Sequence, residues 1–494
     1  MLSPGVRAEA YPVSLSSKYC LALAMLAGSS AIAQTPDRLK PYVIEDARVL
    51  VLDHVRVIDG TGAAAAEDQR IDIEGGKIIR VQSAQQGHPY PTGAKVLDLT
   101  GRTVIPGLVG MHEHLFYPTP KGGGDRLPMY GEMADSAPRL YLAAGVTTAR
   151  TAGSMEPYVD LALKKMIDAG QRPGPKLHIT APYIGDYAGY LPQFRTLSGA
   201  DAAGRMVDYW AGEGATSFKA FMSIKRNELK TAIEHAHARG LKVTGHLCAV
   251  GFREAAALGI DNLEHGIIVD TEFFPGRKPD ECPVQEAADD FAKRVEIDSA
   301  PVQEMIRDLV ARRVAVTSTL AVFEALVPNR PPMSKLGRVE KAMTTEAWAS
   351  YLQTRGAIAQ RNAPEPAIAL RKEMQFEREF VRAGGLLLAG CDPTGIGGVL
   401  PGYGDQRGLE LLVEAGFSPV EAIRIATLNG AIFLGAERSI GSIAVGKAAD
   451  LVVLAGNPAT NIDDVEKVEI VFKDGVGYDP AKLTRSVEGL MGLR

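Results

Sequence analysis

Between residues 105 and 436, short apolar runs alternate with helical patterns, and no other feature of the sequence constrains the fold as strongly. Strands that alternate with helices pair in parallel, because each return to the sheet needs a crossover long enough to hold a helix. The runs end at His114 and near Ala152, Pro182, Met222, His246, His265, Thr319 and Asp392. Eight such strands are what an α/β chain needs to close a (β/α)8 TIM barrel. Helix signals fit between them. Asn227 to Arg239 carries Leu229, Ile233 and Ala236 on one face and stops before Gly240. Ser418-Pro-Val-Glu421 supplies an N-cap, a proline at the first helical position and an acid at the third.

Both ends of the chain read differently. Val49-Leu-Val-Leu, Arg70-Ile-Asp-Ile and Lys77-Ile-Ile-Arg-Val precede the alternating region, and Leu451-Val-Val-Leu and Val468-Glu-Ile-Val-Phe follow it. Isolated β pieces must bury an apolar face somewhere, and the economical arrangement is one small β-sandwich built from both chain ends. The expected organisation is therefore a signal segment at 1–33, the first part of the sandwich at 34–104, the barrel at 105–436, and the rest of the sandwich with a tail at 437–494. The signal is read from Lys18, the apolar stretch Cys20-Leu-Ala-Leu-Ala-Met-Leu-Ala, and the small-x-small exit Ala31-Ile-Ala33. It implies export, with a bacterial periplasm as the expected destination. A net charge of -5 and no Lys/Arg cluster give no case for nucleic acid. No apolar run after the signal is long enough to span a membrane. Setting Cys20 aside leaves Cys248, Cys282 and Cys391, an odd number that requires at least one free thiol. Cys248 and Cys391 read as small buried residues beside site strands, and no pairing is predicted.

The chemistry is carried by residues at strand ends. Val104-Ile-Pro-Gly-Leu-Val-Gly-Met leads into His112-Glu-His114, and side chains at i and i+2 of a strand leave the same face. Two imidazoles then point together, as a metal ion requires of neutral nitrogen ligands. Lys219 lies inside the apolar strand Ser217-Phe-Lys-Ala-Phe-Met, where an ammonium is costly to bury. His246 ends Val243-Thr-Gly-His, His265 follows Asn262-Leu-Glu, and Asp392 ends Leu386-Leu-Leu-Ala-Gly-Cys-Asp. In a parallel barrel all these ends meet at one mouth. Each alone has a structural reading, as a core histidine or a helix-capping aspartate; their convergence favours a metal site.

With these residues in hand, the chain resembles the metal-dependent amidohydrolase superfamily, in particular its imidazolonepropionase-like and prolidase-like branch with a carboxylated lysine. The resemblance rests on Pro106-Gly-Leu-Val-Gly-Met-His-Glu-His114, Ala426-Thr-Leu-Asn-Gly-Ala431 and Gly441-Ser-Ile-Ala-Val-Gly-Lys-Ala-Ala-Asp-Leu451, with the β pieces at both ends. It implies two divalent metal ions, zinc by default, with manganese, cobalt and iron as alternatives. His112, His114 and Asp392 would hold one ion and His246 and His265 the other, with Lys219 as a bridging carbamate. Asp392 would also be the catalytic general base. Gly110 stands where many relatives have an acid, and Thr147-Thr-Ala-Arg-Thr-Ala-Gly lacks an acid after its arginine, so no single relative is matched closely.

The implied activity is hydrolysis of a C–N amide bond by a metal-activated water, in an N-acyl amino acid, a dipeptide or a related amide. The deaminase branch carries an acid three residues after the strand-5 histidine, where this chain has Ala249, which disfavours deamination. The alternatives are a lactonase or phosphotriesterase-like esterase with the same metal site, and a non-catalytic binding protein with a relict site. Tyr183, Tyr187, Tyr190 and Arg195 are candidate substrate contacts, with Arg126 and Arg150 as further partners for a carboxylate. The expected partner is a small-molecule or dipeptide substrate, with a homo-oligomer open. Glu234-His-Ala-His237 repeats the HxH spacing on a helix, where i and i+2 diverge, so these histidines are expected to face solvent.

Overall fold

The computed structural model describes residues 35–119, 129–185, 193–194 and 196–492. The segment read as a signal lies outside the described residues. The N-terminal part forms β1 (Val43–Glu45), β2 (Val49–Val57), β3 (Ala66–Glu74), β4 (Lys77–Ser83), β5 (Lys95–Asp98) and β6 (Arg102–Pro106). The next strands are β7 (Leu108–Glu113), the short pair β8 (Phe116–Pro118) and β9 (Tyr130–Glu132), then β10 (Val146–Thr151) and β11 (Lys176–His178). After them come β12 (Ser217–Ala220), β13 (Lys242–Gly245), β14 (Asn262–Glu264), β15 (Ala315–Ser318) and β16 (Leu387–Ala389). The chain closes with β17 (Leu451–Ala455), β18 (Val468–Lys473) and β19 (Val476–Tyr478). The fold is α/β with mixed sheets.

Strands from the two chain ends share one sheet of nine, in the order β1-β19-β18-β17-β6-β2-β3-β4, with β5 beside β2. The junction of early and late chain is β6 against β17, antiparallel from Leu451 opposite Pro106 to Ala455 opposite Arg102. Alternation explains its core. Leu50, Leu52, Val55, Ile71, Ile73, Val104, Leu451, Val453 and Phe472 form one buried cluster, while Val452, Leu454 and Val471 turn to the larger core. The expected pooling of both ends is thus present as a single hydrogen-bonded sheet.

The eight runs singled out in the sequence are parallel strands. β7, β10 and β11 form one sheet and β12 to β16 another, each in chain order. Parallel bridges at Thr180–Ser217 and Ile184–Ala220 join the first sheet to the second. At the other end Asp392 N donates to His112 O at 3.0 Å, which returns the chain after β16 to β7. Gly390 permits that approach, since a Cβ there would lie 2.4 Å from the His112 backbone nitrogen. The connections after β14 and β15 are long and hold helices, including Val284–Arg294 in the first, and Thr345–Arg361 and Glu365–Arg382 in the second.

One expectation is corrected. Cys248 is not an isolated small core residue; it forms a disulfide with Cys282, 34 residues on. Cys391 is the buried free thiol among the described residues.

Candidate functional site

His112 and His114 sit at the end of β7, Lys219 in β12, and His246, His265 and Asp392 just after β13, β14 and β16. The fold brings all six together. His114 Nε2 lies 3.1 Å from Asp392 Oδ1, His112 Nε2 3.7 Å from the same oxygen, and His265 Nδ1 3.9 Å from Oδ2. Lys219 Nζ donates to His112 Nε2 at 3.1 Å. The rings of His246 and His265 meet edge to face, with centroids 4.4 Å apart. All but half-buried His246 are buried.

Two of these residues have unusual backbones. His265 has φ 73° and Asp392 φ 49°. Left-handed conformations at non-glycine residues concentrate at functional sites, where the surroundings over-determine them. At Asp392 the turn is held by Thr394, whose N–H donates to the Asp392 carbonyl and whose hydroxyl donates to Oδ1 at 2.7 Å. At His265 the positive φ interrupts side-chain alternation, so Glu264 and His265 both reach His112. Glu264 Oε2 accepts from His112 Nδ1 at 2.8 Å, and the His265 ring centroid is 4.5 Å from that of His112. Strict alternation would send Glu264 to the opposite face.

Glu264 is a functional neighbour that the sequence reading missed, and Arg150 is one to which it gave a different role. Arg150 is fully buried and donates to Glu264 Oε1 at 2.7 Å and to the Met111 carbonyl. It is therefore committed to the interior, which corrects its candidacy as a substrate-carboxylate partner. Burial acts to raise the Glu264 pKa, but Arg150, His112 and Lys219 hold it well below the usual carboxylate range. A carboxylate that accepts from Nδ1 leaves Nε2 of His112 free toward the site. His265 Nδ1 has its own partner, Thr319 Oγ1 at 2.8 Å.

The donor set fits a metal. Ligand atoms of His112, His265 and Asp392 all lie within 4.8 Å of one another. Burial lowers His112, His114, His246 and His265, with His114 at about 4 and His246 at about 3, so the imidazoles are neutral, the form a metal ion would require. Burial pushes Asp392 upward, yet His112, His114 and His265 hold it anionic. Lys219 is brought down to about 8 by burial. His114 Nδ1 is a buried nitrogen with no hydrogen-bond partner among the described residues. An orphaned buried donor or acceptor costs roughly 1–3 kcal/mol, which a further ligand or a tautomer change would relieve.

A pocket of about 260 Å³ opens beside these residues, lined by Phe116, Tyr130, Tyr183, Phe194, Phe221 and Phe323 among others. Tyr183 stacks edge to face on Phe194 and Phe221, and its ring lies 5.4 Å from Lys219 Nζ. Burial keeps its phenol protonated, well above the ordinary range. Tyr187, Tyr190, Arg195 and Arg126 lie outside the described residues. The helical HxH pair behaves as expected: His235 meets Asp208 and His237 meets Asp261 near the surface, away from the site.

Comparison with known proteins agrees with this geometry. The family model described as "Amidohydrolase family" matches residues 390–477, which include Asp392 and β17 to β19. An adenine deaminase from Mesorhizobium japonicum is 45% identical over 53 residues, 11% of this chain and 9% of that protein, so only a small part of that relative is spanned. Among solved structures, a Xaa-Pro dipeptidase with methionine bound in its active site is similar over 87% of this chain and 100% of its own, with TM-score 0.64 and 20% identity. A bottromycin amidohydrolase is similar over 92% and 93%, with TM-score 0.66 and 19% identity. At these identities the likeness is one of fold. Residues 390–477 thus resemble the amidohydrolase family, and the fold of the chain is similar to those of the two solved enzymes.

Proposed function

We propose that this protein is a metal-dependent hydrolase that cleaves a C–N amide bond, in an N-acyl amino acid, a dipeptide or a related amide. The observation that carries the reading is the buried convergence of His112, His265 and Asp392, with His114 and Lys219 at their side. The parallel strands in chain order, with β16 returned to β7, are read as a (β/α)8 barrel over 105–436. The nine-stranded sheet is read as the companion β-sandwich over 34–104 and 437–494. Residues 1–33 are read as a cleaved signal, and the Cys248–Cys282 disulfide accords with export to an oxidising compartment such as the periplasm.

His112, His114 and Asp392 would hold one divalent ion, and His246 and His265 a second. Lys219, carboxylated, would lie between them. Zinc is the default for these donors. Such an ion pair supplies a nucleophilic water at neutral pH and polarises the scissile carbonyl. The chain's own groups do the rest. Carboxylation would remove the buried positive charge of Lys219. Asp392, fixed by Thr394, would take a proton from the attacking water and return it to the leaving nitrogen. The protonated phenol of Tyr183 would donate to the oxyanion.

The test is turnover of metal-loaded protein on N-acyl amino acids, Xaa-Pro dipeptides, lactones and aryl phosphotriesters. Hydrolysis of the first two is expected. Activity confined to the last two would replace the amidase by an esterase. Absence of bound transition metal after supplementation, with no turnover, would leave a binding protein.

A further inference from the structure

A second cavity, of about 730 Å³, adjoins the site pocket and shares Met222, His246, Phe323 and Leu326 with it. Its size lies in the range of roughly 300–1,000 Å³ typical of small-molecule sites. Ile268 and Phe291 give it an apolar wall, and Ala287, Ala288, Ala363 and Ala369 leave the space open. A core would fill such a volume with larger side chains, because voids lose packing contacts outright.

The walls are held in place. Ala287, Ala288 and Phe291 lie on the helix Val284–Arg294, which begins two residues after Cys282. Cys282 is bonded to Cys248, itself two residues beyond His246 and also part of the lining. The opposite wall includes Ala369 on the helix Glu365–Arg382, whose Glu373 accepts from Ile268 N at 2.7 Å. At the cavity's polar edge, Lys293 and Arg361 are balanced by Asp289 and Glu365, and burial raises Asp270, the third acid of the lining, to about 8, so it adds little charge at neutral pH.

Resting on the amide-hydrolase reading, we infer that the substrate carries a bulky apolar group, an aromatic or long-chain acyl moiety or side chain, that extends past His246 into this cavity. Short acyl groups would occupy only the smaller pocket at the site. Each methylene that enters the larger cavity would raise kcat/KM about threefold to fourfold until the space is filled.

The experiment compares N-acetyl, N-hexanoyl and N-dodecanoyl glycine and N-phenylacetyl glycine as substrates of the metal-loaded enzyme. The same ligands are titrated calorimetrically against protein stripped of metal. Ala369→Trp and Ala288→Trp narrow the cavity from opposite walls, so a folding failure in one leaves the other. The expected result is a long-to-short ratio of kcat/KM above about tenfold that falls toward unity in the Trp variants. Hydrolysis with no dependence on acyl size, or a ratio the Trp variants leave unchanged, overturns the inference while leaving the amidase intact. Saturable dodecanoyl binding that the Trp variants abolish, without hydrolysis of any amide, upholds the cavity and removes the amidase. Neither hydrolysis nor binding of the long-chain ligand removes both.

Discussion

Lys219 is the residue on which the metal reading turns. It is buried beside His112 and the rings of Tyr183 and Phe221, and burial lowers its ammonium to about 8. Lys219→Ala should lose at least one equivalent of bound metal by elemental analysis, and nearly all turnover. Lys219→Arg should rescue neither, because a guanidinium cannot form a carbamate. Near-normal activity with arginine at 219 would end that model. Glu264 acts one step further out, by fixing which nitrogen of His112 faces the site. Glu264→Gln keeps the shape but can no longer serve as an anion between Arg150 and His112. Metal affinity, read by competition with a chelator dye, should fall by about 10–100-fold; an unchanged affinity would make Glu264 a packing residue only. The six proposed ligands were legible because the histidines and Asp392 close apolar runs and Lys219 interrupts one. Glu264 was not, because the left-handed turn at His265 that brings it inward leaves no mark on the alternation pattern. Arg150 was visible, but its direction was not.

At the scale of elements, the strand ends read from the sequence fall within four residues of those observed, the widest gap being β11, which stops at His178 against an expected end near Pro182, and the helix read as Asn227 to Arg239 spans Arg226–His237. The Cys248–Cys282 bond escaped the reading because it depends on where a long connection folds back, which spacing does not encode. Removing it with Cys282→Ser should cost about 3–4 kcal/mol on the chain-entropy model for a loop of 34 residues. A denaturant midpoint unchanged from wild type would show that the loop is held by packing alone. Between β9 and the helix Pro157–Asp168, Glu132 and Asp160 face one another in the interior. Burial raises Asp160 to about 7, and burial with the charges of Asp160 and Glu156 raises Glu132 to about 9. Both acids bind protons more tightly folded than unfolded. Their contribution to stability is therefore full below about pH 4 and is lost as pH rises through about 7 to 9. Asp160→Asn should flatten the fall in melting temperature between about pH 6 and pH 9. Parallel pH slopes for variant and wild type would sink that account.

For the molecule as a whole, the sequence indicated that both ends cooperate but not how. The expectation is one β-sandwich built from both ends, and the pairing of β6 with β17 is what joins early and late strands in one sheet. Ending the chain before Leu451 would strip β6 of that partner and uncover the apolar cluster around Val104 and Phe472. The shortened protein should be largely insoluble and lack a cooperative melt, measured by soluble yield and near-ultraviolet circular dichroism. A sharp transition at the wild-type temperature would mean that the parallel strands stand on their own.

The same pairing sets a timetable. During synthesis β2 to β6 emerge first, and the strand that completes their sheet is translated only after the entire region between them. Contacts so distant along the chain are slow to form and leave strand edges open to wrong partners meanwhile. The growing polypeptide thus carries an unfinished sheet until β17 to β19 are made, and its open strand edges are a target for holdase chaperones in that interval.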